Sequence, residues 1–142
     1  MKKIFLAIAV MTLSACSTSQ VSSQEAKQVP KDRVFYNETG TSKITITRDS
    51  GWMAGGGCYV MTIIDGKDIA RMDTSETITI QVPEGRHILG FKGDKYGNGL
   101  CSVGSDKPFK ESSIEIKDGE TQYFRITGNT NTGLDIRPTS SI

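Results

Sequence analysis

Alternation of apolar and polar positions organises the chain from residue 33 onward. KITITR (43–48) sets Ile44 and Ile46 on one face and Thr45 and Thr47 on the other, and ETITIQV (76–82) directs Ile78, Ile80 and Val82 inward. A two-residue period marks a half-buried strand. CYVMTII (58–64) is longer and mostly apolar, as expected of a strand covered on both sides. Asp65-Gly66 supplies a hairpin turn and DIARM (68–72) the return strand. Pro83-Glu84-Gly85 makes the next turn, because proline presets φ and glycine accepts the geometry that closes it. RHILGF (86–91), FKESSIEI (109–116), TQYFRIT (121–127) and GLDIR (133–137) follow, with a Lys117–Glu120 turn between the second and third of these and RVFY (33–36) as a short first strand. About eight strands at intervals near ten residues predict an all-β fold: one small antiparallel β-sandwich, Ig-like or prealbumin-like, over residues 33–142.

The first residues have a different pattern. Lys2 and Lys3 precede Ile4–Leu13, a run that is apolar apart from Thr12. Roughly 20 apolar residues are needed to cross a bilayer, so a run about half that long fits a secretory signal peptide. Leu13-Ser14-Ala15-Cys16 resembles a bacterial lipobox. The resemblance implies cleavage after residue 15 and acylation of Cys16, with palmitate-type chains forming a lipid anchor. Each buried methylene contributes about 0.8 kcal/mol, so two or three chains hold the protein permanently. Ser17, where inner-membrane retention usually has Asp, implies an outer-membrane lipoprotein facing the periplasm. Residues 16–32, with the polar run STSQVSSQEAKQVP, bury too little apolar surface to order themselves and are expected to be a flexible tether.

YVMTIIDGKDIARMDTSETITIQVPEGRHILGF is similar to a pattern in small uncharacterised bacterial lipoproteins, and Pro83-Glu84-Gly85-Arg86 resembles the turn of PEGA-type β-sandwich modules. The likeness implies the same sandwich in an envelope-associated module and brings no assigned activity. Cys58 and Cys101 depart from the PEGA pattern.

DSGWMAGGGCYV (49–60) raises the question of a phosphate loop. Such a loop needs a lysine and a following helix, and here Gly57 leads into Cys58 and a strand. With Cys16 committed to lipid, Cys58 and Cys101 are left as an even pair in an exported chain, which predicts a disulfide. Two thiols and a single histidine fall short of the usual four zinc ligands, so no metal or cofactor is expected. The bridge would join two glycine-rich connections. Trp52, Met53 and Tyr96 would then form one exposed binding patch, the alternative being that Trp52 plugs the open end of the core, as large aromatics mostly do.

Charge narrows the partners. The chain has 17 basic and 16 acidic residues, and loss of Lys2 and Lys3 leaves 15 basic. A near-neutral body without a basic run is a poor ligand for nucleic acid. His87 shares a strand face with Leu89 and Phe91, which favours a structural imidazole over a catalyst. Asp94–Gly99 falls short of a calcium loop, with Tyr96 at its third position. The expectation is a non-enzymatic binding or scaffold module, held to the membrane by its N-terminal lipid and engaging an envelope protein or the cell wall. The alternative is an inhibitor or immunity-type lipoprotein that blocks a hydrolase or toxin.

Overall fold

The computed structural model of the chain describes residues 17–51 and 57–140. Among the described residues nine strands form two sheets. One has the order β1 (Lys27–Gln28), β5 (Glu76–Val82), β2 (Ser42–Arg48), β8 (Thr121–Asn129), β9 (Gly133–Pro138). The other has the order β4 (Lys67–Met72), β3 (Val60–Ile64), β6 (Gly85–Gly93), β7 (Lys110–Ile116). The described residues contain no α-helix, only short 3-10 turns at Lys31–Arg33 and Gly99–Ser102.

The inward positions of the alternating segments make the core. Ile44, Ile46, Ile78, Ile80, Val82 and Ile126 of the larger sheet meet Ile64, Ile69, Met72, Leu89, Phe91 and Ile116 of the smaller one, all buried. Every residue of β3 is buried, as its apolar run predicts. Thr45 and Thr47, on the other face of β2, are buried too. Their hydroxyls pair with those of Thr79 and Thr77 at 2.8 and 3.0 Å, so the polar atoms lose nothing by leaving water.

Three expectations need correction. The sandwich is not purely antiparallel: β2 runs parallel to β8, and β1 parallel to β5. The turn before β8 brings the chain across from β7 in the other sheet, so no hairpin dictates its direction against β2. RVFY does not form a strand. Val34 makes a single bridge to Ala70, and the N–H groups of Phe35 and Tyr36 both donate to the Ile69 carbonyl, so the segment crosses the β4 edge. The described part of the expected tether, residues 17–32, is strapped to the larger sheet. Ser17 bridges Asn129, Ser19 bridges Ser50, and β1 lies along β5 with Val29 buried beside it. Backbone hydrogen bonds to a sheet edge order this segment, a contribution that composition does not report.

Register fixes which parts meet at each end. At one end lie the turns Asp65-Gly66, Pro83–Gly85 and Lys117–Glu120. At the other lie Arg48–Gly51, the start of β3, the long 94–109 connection and the 129–133 hairpin.

Candidate functional site

The loop end begins with the predicted covalent link. Cys58 precedes β3, Cys101 sits in the Gly99–Ser102 turn, and the two form a disulfide with Cα atoms 5.2 Å apart. The bridge holds the 94–109 connection against the start of β3. Gly93 makes that approach feasible: a Cβ there would stand 2.1 Å from the Val103 carbonyl oxygen.

Beside the bridge is a cleft of about 240 Å³, lined by Gly57, Tyr59, Arg71, Asp94, Tyr96 and Asn98 among others. Its floor is an ion pair. Arg71 of β4 donates from Nε and Nη2 to the two Asp94 carboxylate oxygens at 2.8 and 2.7 Å. Asp94 is 1% exposed and also accepts from the Tyr96 backbone N–H at 3.1 Å. This two-pronged geometry is the strong form of a charge-assisted bond, and Asp94 holds the Arg71 guanidinium above its ordinary pKa.

Aromatic rings and cations interleave along the cleft. The Arg33 and Arg71 guanidinium carbons lie 4.6 and 4.8 Å from the centre of the Tyr59 ring. Arg71 also lies 5.2 Å from the Tyr96 ring, which stacks on Phe35 at 5.6 Å. Arg33 is itself paired with Glu76, at 2.9 and 2.5 Å. Tyr96 and Phe35 stay 52% and 38% exposed, so their rings are presented to solvent on a fixed base. Lys95 and Lys92 converge on Asp68 at 2.6 and 2.9 Å; burial pushes the Asp68 carboxyl up, but these ammonium groups outweigh it and hold it below its ordinary value.

Arg48 closes the mouth of the sandwich behind the cleft. It is 4% exposed, and its Nη1 donates to the Cys58 and Met72 carbonyls at 2.9 and 2.7 Å. One guanidinium thus ties β2 of the larger sheet to the ends of β3 and β4 in the smaller. Burial lowers its pKa.

The expected binding patch is placed in part. Tyr96 is exposed at the cleft, whereas Trp52 and Met53, like the acylation candidate Cys16, lie outside the described residues. Sequence reading missed Tyr59 and Arg71 and weighed Asp94 only as the start of a calcium loop, because an arginine on an edge strand and an aspartate in a loop are ordinary surface choices until the fold makes them meet.

His87 lies at the opposite end, 6% exposed. Its Nδ1 faces Asp65 Oδ2 at 2.7 Å and its Nε2 faces the Pro83 carbonyl at 2.9 Å. Both partners only accept, so both ring nitrogens donate and the imidazolium is the form that fits. Burial pulls its pKa down, but the bonds to Asp65 and Pro83 outweigh burial and raise it. The residue is a clamp between two turns.

Among the described residues no three His, Cys, Asp or Glu side chains are grouped to hold a metal ion, and no helix is long and apolar enough to cross a membrane. No family model, curated protein or solved structure matches the chain.

Proposed function

We propose that the protein is a lipid-anchored lipoprotein of the bacterial outer membrane that acts in the periplasm by binding, not by catalysis, with an envelope protein as its partner. The observation that carries this reading is the cleft at the loop end. A disulfide, an ion pair between Arg71 and the buried Asp94, and stacked rings fix its walls before any ligand arrives, so little entropy is lost on binding. Exposed Tyr96 and Phe35 offer the kind of aromatic surface that dominates protein interfaces. His87, whose two ring nitrogens are both engaged at the far end, supports a structural role for the histidine.

The anchor is supported by the lipobox pattern ending at Cys16. Incorporation of labelled palmitate into the wild type, and its absence from Cys16→Ser, tests that part. A photoreactive amino acid at Asn98, on the cleft wall, tests the rest in intact envelopes. The expected result is a discrete adduct that Tyr96→Ala abolishes. A folded, acylated protein that yields no adduct refutes the binding reading, and an adduct with a hydrolase turns it into inhibition.

A further inference from the structure

The strap that replaces the expected tether places the N-terminus. Thr18 N–H donates to the Gly128 carbonyl at 3.0 Å, and the Thr18 hydroxyl meets that of Thr127 at 3.0 Å. Ser19 and Ser50 exchange both backbone hydrogen bonds, at 2.9 and 3.0 Å. Ser17 is therefore pinned at the loop end, directly after the proposed acylated residue Cys16 in the sequence. An anchor on that residue leaves no slack between bilayer and domain.

The same end carries unusually exposed apolar side chains. Leu100 is 88% exposed, Val103 60% and Phe109 52%. Leu100 lies within the Gly99–Ser102 turn and Val103 caps its end, three residues on. Between them in sequence, Cys101 fixes this turn to the start of β3 through the disulfide. The 94–109 connection contains two lysines, Lys95 and Lys107, and two aspartates, Asp94 and Asp106, so its net charge is zero.

We infer that the Leu100–Val103 tip is a second membrane contact, which inserts into the lipid interface next to the anchored N-terminus and holds the loop end of the sandwich against the bilayer. This rests on the reading of Cys16 as the acylated residue. The occupant is a lipid surface because the strap brings the anchor to the very end that presents these side chains. Apolar burial drives the contact, with no electrostatic share, so it is insensitive to salt. It sets the Tyr96 cleft beside the membrane, facing partners that are themselves held there.

The test uses the full acylated protein in vesicles of phosphatidylethanolamine and phosphatidylglycerol. An environment-sensitive fluorescent amino acid is placed singly at positions 100 and 103, and at Glu84 in the opposite turn as a control; brominated acyl chains are the quencher. All three positions are exposed, so the fold tolerates the probes. Expected is several-fold stronger quenching at 100 and 103 than at 84, unchanged between low and high salt, and a loss of quenching at 103 when Leu100→Glu is added. Protein that floats with the vesicles but is quenched equally at all three positions overturns the membrane contact and leaves the anchor standing. Protein that fails to float overturns the anchor, and with it this orientation.

Discussion

His87→Gln tests whether the far end of the sandwich is held by a charged clamp. The ring joins the β3–β4 turn, through Asp65, to the turn that crosses from β5 to β6, through Pro83. Asp65 Oδ1 also accepts from the Ile88 N–H at 2.7 Å, so the Asp65 carboxylate alone fixes the hairpin tip to β6 twice. A hydrogen bond to a charged group is worth about 1.5–3 kcal/mol. The Asp65 side chain is 44% exposed, however, and solvent screening cuts its share to about 1 kcal/mol. The Pro83 bond adds about 1 kcal/mol.

His87 has a raised pKa, so its contribution is complete below the ordinary imidazole value of 6.5 and fades as pH climbs through the folded value. Burial raises the Asp65 carboxyl, but its bonds to His87 and Ile88 outweigh that and lower it, so its share is complete above 3.8 and fades as pH falls through the folded value. The clamp is thus strongest between those two limits. Urea unfolding should show His87→Gln costing about 2 kcal/mol near pH 5.5 and about 1 kcal/mol near pH 9, where a neutral ring keeps one donor. Asp65→Asn in the same background should add little. A cost that is equal at both pH values refutes the doubly donating imidazolium.

Two further substitutions probe the cleft. Arg71→Met leaves the Asp94 carboxylate buried without its cation, so it should cost about 3 kcal/mol in unfolding experiments and abolish the Asn98 crosslink. Gly93→Ala would set a Cβ 2.1 Å from the Val103 carbonyl oxygen and should cost about 2 kcal/mol, with increased amide exchange confined to residues near 94–104.

Strand positions were legible because the core is built from period-two alternation, as in Ile78, Ile80 and Val82 of β5. The His87 environment was legible for the same reason: it shares a face with Leu89 and Phe91, both buried with it. Pairing was not. Nothing in KITITR or TQYFRIT announces that they lie side by side in parallel, since a strand's side-chain pattern is the same whichever way its neighbour runs. The strap at residues 17–28 was hidden because mostly backbone contacts, joined by the Thr18 hydroxyl, order it, and composition reports neither. Val29 followed by Pro30 was the one hint of a buried foothold. The cleft was half legible: cysteine parity exposed the bridge, whereas Arg71 and Asp94, 23 residues apart, meet only once β3 pairs with both β4 and β6.

The two ends of the sandwich are closed by different means, and this decides where disulfide reduction acts. At the turn end the connections are short and hydrogen bonds suffice. At the loop end the backbone bonds inside the 94–109 connection are local turns, and only its two ends are tied to β6, by Gly93 N–H to the Gly104 carbonyl and Phe109 N–H to the Phe91 carbonyl. Its position depends on the bridge, whose cysteines are 43 residues apart. Closing a loop of that length stabilises the native state by up to about 4 kcal/mol through the unfolded chain. Neither cysteine belongs to the buried cluster, and β3 and β6 pair over five positions without them. Cys58→Ser with Cys101→Ser should therefore lower global stability by up to about 4 kcal/mol yet leave the sandwich folded. Amide exchange should quicken most at 95–103, and the Asn98 adduct should disappear. If exchange instead rises equally through β3 and β6, the bridge is part of the core's own cohesion, and the cleft is not a separately stabilised structure.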